Sequence, residues 1–334
     1  MEVAYLGVPH THKLAIIIKP MKMKIILIVY LLICGNYILA QVNKSEMFLQ
    51  KAEEAYELEN YEIALNAIDS ALIESPEMAG LYDFKSDILV NLRKFEYAGD
   101  VLDLAKEKFP NDPYTLCKKG HFEAYIGRPM NSLEEYQKAL QLADSDSLKF
   151  EIRTFIAVTK HELRDFKNAK SELLDLYKID TLNLGILLSL GNLEEEINNR
   201  DAALKYYFKG LEIDSTDVGI LMNIGYLLQR QNKYSESFEF YEKSSDIKNV
   251  DDLYFSNQSI NLMYLGKDSM ALEFIDSSLA INPYNAYAYR NKALILKKLS
   301  KLNEACKALN DALKFNFTEI YGDEVLELIK ANCK

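Results

Sequence analysis

Three asparagines, Asn223, Asn257 and Asn291, recur at an interval of 34 residues. A primary amide carries both a donor and an acceptor. A row of amides therefore matches successive peptide groups of an extended chain without reading its side chains. Residues suited to covalent or acid-base chemistry are sparse or badly spaced. Of the four histidines, His121 and His161 lie beyond the first 40 residues, and neither has His, Cys or carboxylate companions at metal-ligand spacing. No Gly-rich phosphate loop and no Gly-x-Ser-x-Gly elbow occurs. Adjacent carboxylates such as Glu53-Glu54, Glu134-Glu135 and Glu194-Glu195-Glu196 read as solvated helix faces. The expectation is a protein that binds and does not catalyse, with no metal and no cofactor.

The elements that would position such a row follow from composition. The chain has 334 residues, with 39 Lys plus Arg against 50 Asp plus Glu, a net charge of −11. That balance argues against nucleic acid as a general partner, because duplex binding needs a basic face. With 49% hydrophobic residues the chain can fold, and with 13 Gly and 7 Pro it has few sites for tight hairpins. Helices are expected. A single core of this length would exceed the usual limit of about 250 to 300 residues.

The amino terminus reads as an address. Met21-Lys22-Met23-Lys24 precedes an apolar run from Ile25 to Cys34, and Ala40 supplies a small residue at a cleavage point. This is the order of a secretory signal peptide, so residues 21–40 are expected to be removed, and residues 1–20 to precede the true initiator, Met21. An uncleaved anchor over Ile25 to Leu39, or acylation at Cys34, is the alternative, and the only route to a membrane. The protein is expected to be exported, periplasmic or extracellular, or else membrane-anchored and facing the periplasm. Without residues 1–40 the chain keeps 35 basic and 49 acidic residues, a net charge of −14.

Beyond that point one period organises the sequence. A column of small residues recurs as Ala64, Ala98, Ser132, Ala169, Ala203, Ser237, Ala271 and Ala305. Twelve positions earlier stand Ala52, Ser86, Gly120, Ala157, Gly191, Gly225, Ser259 and Ala293; four positions later stand Ile68, Leu102, Tyr136, Leu173, Tyr207, Tyr241, Ile275 and Leu309. The steps are 34 residues except one of 37, whose excess falls around Gln141 to Ser147 and marks a place where the array could break into three and five units. Offsets of four and seven keep one face of a helix, so each unit is an antiparallel helix pair with small residues where the helices meet.

These columns resemble the tetratricopeptide repeat, with small residues at positions 8, 20 and 27 of a 34-residue unit and a bulky one at 24. The resemblance spans eight units, approximately 45–78, 79–112, 113–146, 150–183, 184–217, 218–251, 252–285 and 286–319. It implies an all-α solenoid, a right-handed superhelix of about eight helix pairs, closed by a C-terminal capping helix over 319–334 with Val325, Leu326, Leu328 and Ile329 facing inward. It further implies that position 6 of each unit lines a concave groove. There Asn223, Asn257 and Asn291 form a ladder, similar to that of the repeat domain in O-linked N-acetylglucosamine transferases, with Asn192, Tyr226, Tyr264, Tyr287 and Arg290 beside it. The cationic members of a chaperone-type carboxylate clamp are missing, since Leu188 and Leu253 stand where lysines would. The expected partner is a protein or extended peptide. The alternative is a membrane-tethered subunit of an outer-membrane assembly or secretion machine, and behind it a repeat-type enzyme.

Three cysteines remain after processing. In an oxidising compartment Cys306 and Cys333 would staple the cap to the last repeat; the alternative is two separately buried thiols. Cys117 then has no partner and reads as a packing residue.

Overall fold

A computed structural model describes residues 44–245 and 251–333. The expected initiator, signal segment, anchor and cleavage point lie outside the described residues. Among these residues there are helices and no strands: α1 (44–57), α2 (Tyr61–Glu74), α3 (Ala79–Asn91), α4 (Phe95–Lys108), α5 (Pro113–Tyr125), α6 (Pro129–Leu142), α7 (Asp146–Glu162), α8 (Phe166–Ile179), α9 (Leu184–Glu196), α10 (Arg200–Ile213), α11 (Val218–Arg230), α12 (Tyr234–Ser245), α13 (Asp252–Tyr264), α14 (Asp268–Ile281), α15 (Ala286–Lys298), α16 (Leu302–Lys314), α17 (Phe317–Tyr321) and α18 (Glu324–Asn332). No described helix is long and apolar enough to cross a membrane.

The helices run in pairs, and the three sequence columns are the seams. Every residue of the columns headed by Ala52, Ala64 and Ile68 is buried. The turn inside each pair is uniform. Glu59, Arg93, Gly127, Arg164, Asn198, Asn232, Gly266 and Ser300 all take a left-handed backbone, with φ between 57° and 77°. The amide of the next residue then reaches back five positions, as in Asn60 N to Ala55 O (2.8 Å) and Lys301 N to Leu296 O (2.9 Å), satisfying a carbonyl the helix end leaves open. Only two of these eight residues are glycine, so the repeat imposes the turn on side chains that disfavour it. At the other end Asp112, Asn183, Asp217, Asp251 and Asn285 cap the following first helix through their side chains.

The chain divides into two compact units after Thr159, inside α7. The three extra residues fall where α6 gives way to α7, ahead of this division. They lengthen α7 to 17 residues, where α3, α5, α9, α11, α13 and α15 each have 13.

In the first unit the buried Cys117 packs with Leu116, Tyr136 and Ile152, and burial together with Glu151 and Asp112 pushes its thiol up to about 12. That is a packing thiol, not a nucleophile. In the second unit a buried amide network joins α11, α12 and α13. Gln229 donates to Asn261 Oδ1 (2.9 Å), Asn261 donates to Ser237 Oγ (2.9 Å) and Gln258 Oε1 (3.0 Å), and Gln258 donates to Glu242 Oε1 (2.9 Å).

The cap departs from the expected single helix. Gly322, at φ 82°, ends α17, and α18 starts afresh at Glu324. Phe317 and Val325 are buried against α15 and α16, Leu328 and Ile329 pack on the same cluster, and Leu326 is half-buried. Cys306 and Cys333 are joined by a disulfide across 27 residues, tying the end of α18 to α16.

Candidate functional site

The first helices of the second unit, α9, α11, α13 and α15, carry the asparagines, and tyrosines from the second helices reach through to them. The Tyr207 ring of α10 lies against Gly191 of α9, where a β-carbon would stand 2.4 Å from the ring. Glycine is required there by space alone. The Tyr207 hydroxyl donates to Asn192 Oδ1 (2.6 Å) and lies 3.3 Å from Glu195 Oε2. Asn223 Nδ2 donates to the same Asn192 oxygen at 3.5 Å, so two amides of consecutive first helices meet over one tyrosine.

The pattern repeats one unit on. Tyr241 of α12 lies against Gly225, with 3.0 Å left for a β-carbon, and its hydroxyl is fully buried without a hydrogen bond of normal geometry. Asn257 stands beside it, and burial followed by the Tyr287 and Tyr226 phenols holds it well above the usual tyrosine range. Asn257, Tyr226 and Tyr287 are thus gathered around one buried phenol. Burial also raises the Glu195 carboxyl, against the opposing pull of Tyr207, Arg230 and Arg200.

Two expected members stand elsewhere. Asn291 is not a surface rung: it is fully buried, its Nδ2 donates to Ser256 Oγ (3.0 Å) and Ser256 O (3.3 Å), and its Oδ1 accepts from Arg290 (2.9 Å). The cause lies 35 residues back. Ser256 is small and polar where Leu188 and Met222 precede the other two rungs, so the third amide turns inward to a hydroxyl. Tyr264 is exposed, but it stacks on Tyr234 with ring centroids 4.0 Å apart and not with Tyr226 or Tyr287.

Arg290 is engaged as well. Its guanidinium pairs with Glu324 of α18 and lies 5.7 Å from the Tyr287 ring, which in turn meets Tyr321 at 5.5 Å. The contributions of Tyr207, Tyr241, Glu195 and Arg230 were not read from the sequence. A signal for the two tyrosines was present, since the units with Gly at position 8 (Gly120, Gly191, Gly225) are the units with Tyr at position 24 (Tyr136, Tyr207, Tyr241). Among the described residues no group of three or more His, Cys, Asp or Glu could hold a metal ion.

This arrangement of helix pairs is the tetratricopeptide-repeat fold. A sequence model of the tetratricopeptide repeat matches residues 218–251, the unit that carries Asn223, Tyr226 and Tyr241. Comparison with curated protein sequences finds no match. Among solved structures, a tetratricopeptide repeat protein from Parabacteroides merdae is similar at a TM-score of 0.60 and 12% identity, over 76% of this chain and 99% of that one. The Cut9–Hcn1 hetero-tetramer of APC/C is similar at a TM-score of 0.62 and 14% identity, over 85% of this chain and 55% of that one. At these identities the likeness concerns the fold.

Proposed function

We propose that the protein is a non-catalytic scaffold that binds an extended segment of a partner protein on the first-helix face of its second unit. The observation that carries the reading is the meeting of Asn192 and Asn223 over Tyr207, with Asn257 beside Tyr241 one unit on. Amides held by buried phenols are pre-positioned, so less side-chain freedom is lost when they engage a peptide backbone. The binding row is Asn192, Asn223 and Asn257, with Tyr226 and Tyr287 as aromatic contacts of the kind enriched at binding hot spots. Asn291 supports the neighbouring helix and takes no part.

The protein is further proposed to act outside the cytoplasm. Support comes from the leader-like residues 21–40 and from the Cys306–Cys333 bond, since disulfides persist in oxidising compartments.

The test is selection of extended peptides by display on the full-length protein. Affinities are then measured with an Asn192→Ala, Asn223→Ala, Asn257→Ala variant and with Asn291→Ala. The triple variant should bind the selected peptides at least tenfold more weakly, which corresponds to about 1.4 kcal/mol. Asn291→Ala should lose stability and keep affinity per folded molecule. Undiminished binding by the triple variant would dispose of the ladder.

A further inference from the structure

In three of the helix pairs a tyrosine at position 24 of the second helix reaches between consecutive first helices. Tyr136 lies against Gly120 and meets the rings of His121 and Phe155, with centroids 5.4 Å away in both cases. Tyr207 lies against Gly191 and gives its hydroxyl to Asn192 Oδ1, the oxygen that also accepts from Asn223 of the next first helix. Tyr241 lies against Gly225, and Asn257 stands beside it. The phenol thus fills a space bounded by positions 8 and 9 of its own first helix and position 6 of the next.

The α3–α4 pair has the same frame and lacks the ring. Position 24 is Leu102, fully buried, whose side chain ends short of where a phenol would reach; positions 8 and 9 are Ser86 and Asp87, and position 6 of α5 is Lys118. A cavity of about 190 Å³ stands there, with Ser86, Asp87 and Val90 of α3 on one side and Lys118, Phe122 and Tyr125 of α5 on the other. Ser86 and Phe122 are buried, and Tyr125 is exposed. A cavity of about 150 Å³ is enough for a benzene ring, so this one holds a single six-membered ring and little more.

The polar groups of the cavity suit a hydroxyl. Asp87 occupies the position of Asn192, the acceptor of the Tyr207 hydroxyl. Its Oδ2 takes the Lys118 ammonium at 2.5 Å, which leaves Oδ1 free to accept. Ser86 commits its own proton to Asp83 O (2.6 Å), so its oxygen too can only accept. Two acceptors therefore line a ring-sized space.

We propose that this cavity is a binding pocket for a phenol ring, the tyrosine side chain of a partner segment crossing the first-helix face of the first unit, with its hydroxyl held by Asp87. The incoming ring takes from outside the place that Tyr136, Tyr207 and Tyr241 take from within. The pocket is separate from the amide row of the second unit: it reads a side chain, and it stands whether or not the row binds a peptide backbone. Burial of the ring against Val90 and Phe122 supplies the apolar part of the contact. A hydrogen bond to a carboxylate is stronger than one between neutral groups, so tyrosine is preferred to phenylalanine.

The probes are p-cresol, N-acetyltyrosinamide and N-acetylphenylalaninamide, titrated against the full-length protein and read by saturation-transfer NMR. The first two are expected to bind saturably, and the phenylalanine amide at least threefold more weakly. A Ser86→Gly, Leu102→Tyr variant rebuilds in the α3–α4 pair the Gly191 with Tyr207 arrangement, fills the pocket from below and should weaken both phenols at least fivefold. Val90→Phe, which narrows the cavity without altering Ser86 or Leu102, should weaken them likewise, so the test does not hang on the folding of one variant. Asp87→Val, with the residue found at this position in the α7–α8 pair (Val158), should leave the ring bound and erase the preference for tyrosine. Asn192→Ala, Asn223→Ala, Asn257→Ala should change none of these affinities.

No saturable binding, binding that survives filling of the cavity in a folded variant, or equal affinity for the tyrosine and phenylalanine amides would overturn the proposal. Binding of p-cresol without N-acetyltyrosinamide would overturn the assignment to a partner's side chain, the occupant then being a free phenol.

Discussion

At the scale of single residues, Asp83 in the first unit is an ionisable group held against its charge. Its Oδ1 is buried without a hydrogen bond, and burial pushes the carboxyl up to about 6, with Lys118 opposing and Asp112 and Asp87 adding to the rise. An unfolded aspartate titrates near 4, so between about pH 4 and 6 the folded chain holds a proton that the unfolded chain has released. Stability at this site therefore falls as pH rises through that window, and above it the full penalty is present. A rise of this size corresponds to roughly 3 kcal/mol; solvent screening of a partly exposed group reduces this to about 1 to 2 kcal/mol. Asp83→Asn should raise the urea midpoint at pH 7 by an amount equivalent to about 1 kcal/mol, and its advantage should shrink as pH is lowered toward 4. A constant difference across that range would show that burial does not govern this carboxyl. No sequence pattern marked Asp83, because its environment depends on residues from α5 and from the α4–α5 turn folded around it.

At the scale of elements, the helix pair is a matter of clearance. Ala in place of Gly inside a helix ordinarily adds about 1 kcal/mol of stability, but at Gly191 the added carbon would stand 2.4 Å from Tyr207 Cε1. Overpacking of that kind costs about 1 to 3 kcal/mol, so the clash exceeds the propensity gain and Gly191→Ala should destabilise. In a Tyr207→Leu background the same change should be neutral or stabilising, because it recreates the Ala157 with Leu173 pairing of another unit. Equilibrium unfolding of the four proteins gives a coupling of about 1 to 2 kcal/mol; additive effects would refute the clearance argument. The helix pairs were legible in advance because periodicity fixes which residues face inward. The extra turn of α7 was not, since three added residues fit a loop or a helix equally well. The cap was misjudged at Gly322, where one left-handed residue outweighs an amphipathic pattern that continues across it.

At the scale of the whole molecule, the number of units was written in the sequence, while which of the asparagines stay near the surface was not. Asn223, Asn257 and Asn291 are equivalent in register, yet only the last is withdrawn, because exposure depends on the preceding unit's Ser256 and on Arg290, which pairs with the cap. A repeat array is stabilised by nearest-neighbour interfaces, so its last unit depends on the element that closes it. Here that element is short: α17 and α18 have five and nine residues, too few to hold as isolated helices. Phe317, Val325 and the Cys306–Cys333 bond hold them in place. Closing a loop of this length by a disulfide contributes about 3.5 kcal/mol on the chain-entropy account. Cys333→Ser should therefore loosen the array from its C-terminal end. Hydrogen exchange is expected to quicken in α15, α16 and α18, and to stay unchanged in α9 and α10, which contact neither the bond nor the cap cluster. Uniform quickening across α9 to α16 would mean instead that the second unit opens as one cooperative body, and that the disulfide serves the unit as a whole.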